Sequence, residues 1–149
     1  MCIRDRAWAL GATHTNFQNP HGLHSEGHYT TAYDLYLIFN ACIKDQRFLD
    51  IIAMKSYTGT ITGADGTVRT AEWTPKNYYS ARLTAMPQNM TVIGGKTGTT
   101  DEAGSCVILY DQDAQGNPYI SVVMGAPDKE TLYRDTTQLL EAGVALQTQ

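Results

Sequence analysis

The sequence predicts an α+β domain with an antiparallel sheet and packed helices, on three observations. Residues 91–99, 105–111 and 119–125 are runs rich in β-branched and apolar residues, joined by short turn-forming links, which reads as a three-stranded meander. After Thr31, apolar residues recur at three-to-four-residue spacing: Leu35, Phe39 and Cys42, flanked by Ile38 and Ile43, make one helical face. The same spacing returns after Pro127, where Leu132, Thr136, Leu139, Leu140 and Val144 align.

Taken along the chain, Ala7 to Ala12 read as the tail of a helix stopped at Gly11, a residue suited to the left-handed cap conformation. Asn19-Pro20-His21-Gly22 is turn chemistry, so residues 13–29 read as a loop, and it carries all four histidines. Thr31 is placed to cap the following helix, with Asp34 near the positive end of its dipole. Tyr33, Tyr36 and Phe39 are read as packing residues, and Phe48, Ile51 and Ile52 as the face of a second short helix. Residues 57–71 form a hairpin around Ala64-Asp65-Gly66, because an Asp-Gly pair supplies the turn that β-branched flanks require. Residues 72–90 carry no clear period, apart from a helical turn near Tyr78 to Leu83. Asp128 is placed to cap the last helix.

A length of 149 residues suits one hydrophobic core rather than two. The 42% hydrophobic and 17% charged content is that of a globular chain. No apolar run approaches the roughly 20 residues needed to cross a bilayer, and the N-terminal residues lack the order of a secretory signal. A net charge of -4 with scattered lysines and arginines argues against nucleic-acid binding. Cys2, Cys42 and Cys106 are odd in number and show no Cys-x-x-Cys spacing, so they indicate neither a disulfide framework nor a zinc site. Cys106, inside an apolar strand pattern, is read as a buried structural thiol.

The segment that carries chemistry is Val92-Ile93-Gly94-Gly95-Lys96-Thr97-Gly98-Thr99-Thr100. Gly94 and Gly95 let a ligand or a neighbouring backbone approach the strand closely. Lys96 then offers a cation, Thr97 a hydroxyl and Gly98 unhindered backbone, a set suited to a carboxylate. The segment contains no nucleophile.

With its flanks, this motif resembles the serine D-alanyl-D-alanine carboxypeptidases, the low-molecular-mass penicillin-binding proteins. That family pairs Lys-Thr-Gly with a Ser-x-x-Lys and a Ser-x-Asn motif. Ala9-Leu10-Gly11-Ala12, Thr13-His14-Thr15-Asn16-Phe17, Asn19-Pro20-His21-Gly22-Leu23 and Gly27-His28-Tyr29-Thr30-Thr31-Ala32-Tyr33-Asp34-Leu35 are similar to its segments after Ser-x-Asn. The blocks keep the family's order over residues 7 to about 145. The resemblance implies a partial β-lactamase/transpeptidase-like domain acting on peptidoglycan stem peptides that end in D-Ala-D-Ala. It also implies no cofactor or metal, reaction with β-lactams in the intact protein, and a place outside the cytoplasmic membrane. A membrane association would come only through segments absent here. It assigns substrate binding to Lys96, Thr97 and Gly98, and donation to the oxyanion to the backbone N–H of Thr99.

The departure from the family pattern is plain. Ser25, Ser56, Ser80, Ser105 and Ser121 are followed three residues on by His, Gly, Leu, Ile and Met, so no Ser-x-x-Lys exists, and none of them begins a Ser-x-Asn. Met1 to Arg6 resemble translated sequencing-adapter sequence. The expectation is therefore that residues 1–6 are foreign to the natural chain. Residues 7–149 are then the C-terminal portion of a single catalytic domain, inactive alone and left with an unprotected sheet edge. Two rival readings are kept: a non-catalytic module that binds peptidoglycan peptides, and a metal protein using His14, His21, His24 and His28. The second is weakened because that spacing matches no helix-borne zinc motif.

Overall fold

The structure is a computed structural model that describes residues 2–147. Helix α1 spans Ile3–Ala9, starting earlier than Ala7 because the Asp5 carboxylate accepts from the Cys2 backbone N–H at 3.0 Å and caps it. The chain turns at Gly11, whose φ of +87° is the left-handed conformation expected there. The loop that follows is pinned by an antiparallel bridge between Asn16 and Tyr29.

Helix α2, Ala32–Cys42, begins where Thr31 Oγ1 accepts from the Asp34 N–H at 3.1 Å. Asp34 is more than a dipole partner. Its buried carboxylate accepts from the His14 N–H at 2.8 Å and from Thr15 Oγ1 at 2.7 Å, which ties the histidine loop to the helix. Phe39 is buried as expected, but Tyr33 and Tyr36 are exposed and pack mainly on each other, with ring centroids 5.9 Å apart. Helix α3, Gln46–Ala53, is capped by Asp45. Strands β1, Tyr57–Thr62, and β2, Val68–Trp73, form the hairpin, with Tyr57 stacked on Trp73 at its open end.

Strands β3 (Met90–Thr100), β4 (Gly104–Asp113) and β5 (Pro118–Ala126) form the antiparallel meander in the order β3-β4-β5. Alternation along β4 buries Ser105, Val107, Leu109, Asp111 and Asp113 on one face. Helix α4, Lys129–Gln147, covers that face, its start capped by Asp128 Oδ1 accepting from the Thr131 N–H at 2.7 Å. The core there joins Val92, Val107, Leu109 and Ala126 to Leu132 and Tyr133 of α4 and to Tyr79. Burying each such large apolar side chain contributes about 1.5–3 kcal/mol. Leu139 departs from the predicted stripe: it is exposed, because the buried arc of α4 runs through Leu132, Tyr133, Thr136 and Leu140 and leaves Leu139 at its rim. Helix α3 lies on the other face of the sheet, against β3. The outer edges of β3 and β5 have no strand partner among the described residues.

Residues 74–89 have no strand or helix, yet they are fixed by α4. Tyr133 Oη accepts from the Tyr78 N–H at 2.9 Å, Tyr79 Oη donates to the Tyr133 carbonyl at 3.1 Å, and the Tyr78 and Tyr133 rings stack at 4.6 Å.

Candidate active site

The Lys-Thr-Gly segment occupies the second half of β3, an edge strand, so alternate backbone N–H and C=O groups are free to pair with an added chain. The strand slips register between Val92 and Gly94, and its glycines then differ sharply in surroundings. A Cβ on Gly94 would lie 1.9 Å from the Ile52 carbonyl oxygen of α3, and one on Gly95 would lie 2.1 Å from the Ile108 carbonyl oxygen of β4. Both glycines are required by neighbouring backbone, one of the two reasons the sequence offered. A Cβ on Gly98 would meet nothing within 4 Å. Gly98 therefore leaves space that the described fold does not use.

Pairing of Lys96 with Ile108 and of Gly98 with Cys106 places these four on one pleat face. Thr97 and Thr99, opposite Val107 and Ser105, share the other face, toward α4. Lys96 and Thr99 are exposed and Thr97 is half-buried. Lys96 Nζ donates to the Thr97 carbonyl. The ammonium thus rests on its own strand, available to an incoming anion.

An open, mainly apolar cavity of about 770 Å³ borders Gly95, Lys96 and Thr97, with Phe48 and Ile52 of α3 and Tyr57 and Trp73 of the hairpin opposite. A second cavity of about 520 Å³ is lined by Thr97 and Thr99, by Lys76 and by Lys129. Sequence reading missed both lysines: Lys76 lies in the stretch without period, and Lys129 starts α4, some thirty residues beyond Thr99. Cys106 also lines the second cavity and is half-buried rather than buried, at the point where β4 and β5 slip register between Ser105 and Val107. Beyond Thr99 the chain turns through Asp101 to Ala103, with Thr100 Oγ1 accepting from the Ala103 N–H at 3.0 Å. Glu102 on that turn is held below the usual carboxylate range, first by hydrogen bonding to its own backbone, and its carboxylate stands 3.8 Å from His24 Nδ1.

Two of the histidines serve the loop. The His28 ring accepts from the Gln18 N–H at 3.1 Å, and the His21 ring from the Leu23 N–H at 3.2 Å. Among the described residues no group of three or more His, Cys, Asp or Glu side chains is placed to hold a metal ion. Nor is a serine hydroxyl there bonded to a lysine or histidine: Ser121 donates to Asp111 and Ser80 accepts from Asn77.

Solved structures give the class. The Streptomyces K15 DD-transpeptidase superposes with a TM-score of 0.81 at 25% identity, covering 95% of this chain and 52% of that one. The D-alanyl-D-alanine carboxypeptidase of Mycobacterium tuberculosis H37Rv gives 0.74 at 26% identity, with 95% and 51% covered. The fold is thus that of the transpeptidase and carboxypeptidase class, as the α+β reading anticipated. A peptidase S11 family model, D-alanyl-D-alanine carboxypeptidase, matches residues 1–128. The D-alanyl-D-alanine carboxypeptidase DacF of Bacillus subtilis (strain 168) is 30% identical over 141 residues, spanning 93% of this chain and 33% of the relative. DacC of Escherichia coli (strain K12), of the same name, is 32% identical over 136 residues, spanning 90% and 30%. The chain belongs to the D-alanyl-D-alanine carboxypeptidase family. It spans about a third of the length of these two relatives and about half of the solved chains.

Proposed function

We propose that this chain supplies the substrate-docking wall of a serine-type D-Ala-D-Ala carboxypeptidase, with the acylatable serine on residues outside these 149. The observation that carries the reading is the open edge of β3, where Lys96 and Thr99 are exposed and Gly98 faces unused space. A stem peptide ending in D-Ala-D-Ala adds to that edge as an extended strand. Lys96 provides positive potential for its terminal carboxylate, Thr97 a hydroxyl, and Gly98 the clearance for close passage. The Thr99 N–H donates to the oxyanion that forms on the scissile carbonyl, a contact worth roughly 3 kcal/mol in acyl-transfer sites.

In the intact enzyme a serine oxygen attacks that carbonyl, D-Ala leaves with a proton on its nitrogen, and water hydrolyses the ester to regenerate the serine. β-Lactams acylate the same serine and stop there. The intact protein works on peptidoglycan outside the cytoplasmic membrane. With no Ser-x-x-Lys in its sequence, this chain alone is inactive and binds without turnover.

Fluorescent penicillin tests this directly. The expected result is no covalent label on the 149-residue chain, together with reversible binding of a D-Ala-D-Ala peptide that Lys96→Ala abolishes. A covalent adduct, located by mass spectrometry on one of the five serines, overturns the docking-wall reading. The same absence of a nucleophile favours a second reading, a natural binding module that never acted on its ligand. Finding Ser-x-x-Lys and Ser-x-Asn upstream in the source gene decides for the enzyme.

A further inference from the structure

Lys96 is not the only cation at this end of β3. The cavity of about 520 Å³ lined by Thr97 and Thr99 receives Lys76 from the β2–β3 connection and Lys129 from the first turn of α4, and none of its lining residues is acidic. Lys76 also borders the larger cavity beside Lys96 and Thr97, so it stands between the two. In a chain with 15 acidic and 11 basic residues, three lysines around a four-residue stretch of one strand depart from the average surface. One of them is anchored. Lys129 Nζ lies 5.6 Å from the centroid of the Tyr78 ring, which is itself stacked on Tyr133. Lys129 also borders a further cavity that holds Glu130 and Glu141, yet neither carboxylate reaches the threonine side.

We propose that Lys76 and Lys129 form a second cationic wall for the ligand carboxylate held at Lys96 and Thr97, and that they set the preference for a free carboxylate over a neutral C-terminus. This rests on the reading of β3 as the docking strand. The physical basis is additive potential: an anion that enters a site bordered by several cations is attracted by each of them. All three lysines are exposed, so each contributes modestly and salt weakens the effect.

The test measures binding of an N-acetylated peptide ending in D-Ala-D-Ala to the full chain, as the free acid and as the C-terminal amide, at low and at physiological ionic strength. Wild type binds the acid more tightly. Lys76→Ala and Lys129→Ala each weaken the acid about three- to five-fold and leave the amide unchanged, whereas Lys76→Arg and Lys129→Arg keep the wild-type ratio. Unchanged amide binding also shows that the variants are folded. An acid-to-amide ratio that survives both alanine substitutions, while Lys96→Ala still abolishes binding of the acid, overturns the proposal and leaves the docking strand intact. Failure of wild type to bind either peptide overturns the docking reading itself, and the second wall with it.

Discussion

At Gly94 and Gly95 the backbone of β3 passes too close to its neighbours for any side chain, whereas three residues later, at Gly98, it faces open space. The contrast separates two demands that one glycine-rich motif makes. Gly94→Ala or Gly95→Ala forces a methyl into a carbonyl oxygen of Ile52 or Ile108, and should lower stability by about 1–3 kcal/mol or more, since rigid backbone must move. Gly98→Ala should leave the denaturant midpoint within about 0.5 kcal/mol of wild type and still impair peptide binding. A Gly98→Ala protein as unstable as Gly94→Ala would place the requirement in the fold rather than in the ligand. This part of the site was legible because lysine, threonine and glycine lie consecutively on one strand. Lys76 and Lys129 were not: they line one cavity with Thr97 and Thr99 from separate segments, and nothing local to either reports that.

At the scale of elements, the connection between β2 and β3 depends on α4. Tyr133 stacks on Tyr78, packs edge-on to Tyr79 at 5.1 Å, and accepts the Tyr78 N–H. Tyr133→Ala should cost about 3–5 kcal/mol, with amide exchange around residues 77–83 rising more than that of β4. Tyr133→Phe removes one hydrogen bond and keeps the stack, so a loss of only about 1–2 kcal/mol is expected. Equal effects of the two substitutions would assign the coupling to the hydroxyl alone. This dependence also explains what sequence reading could reach. The meander, the hairpin and α2 announce themselves through period, β-branching and turn residues within a few positions, and each lies close to its expected place. Residues 74–89 have no such period, because partners more than fifty positions away fix their conformation. Asp34 shows the same limit: its place in the first turn of α2 was legible, but its bonds to His14 and Thr15, twenty and nineteen residues back, were not.

Over the whole molecule, one buried carboxylate couples stability to pH. Asp111 lies on the α4 face of β4, where strict alternation with Leu109 and Val107 already placed a carboxylate in the core. One of its oxygens accepts from Ser121 Oγ at 2.9 Å and the other has no hydrogen-bond partner. Burial pushes its pKa from 3.8 up to about 7, which the Ser121 bond only partly opposes. Asp113, two residues on and inward on the same face, escapes this: burial would raise it too, but donors from Asn117, Gln115 and Tyr119 outweigh the penalty and hold it low. Tyr79, the phenol that interacts with Asp111 from the 74–89 segment, is raised chiefly by burial and stays neutral through this range. Because the folded pKa of Asp111 exceeds the unfolded one, the native state holds a proton that the unfolded chain releases. Its contribution is therefore complete below about pH 4, declines as pH rises toward about 7, and is level above that. The full penalty is about 4 kcal/mol, a large part of the 5–15 kcal/mol typical of a domain. Urea unfolding at pH 5 and pH 8 should show wild type losing about 2–3 kcal/mol more than Asp111→Asn over that interval. Asparagine can still accept from Ser121 but carries no charge to bury. The difference between the two pH slopes isolates Asp111, and parallel slopes would show that its carboxylate reaches water or a donor in solution.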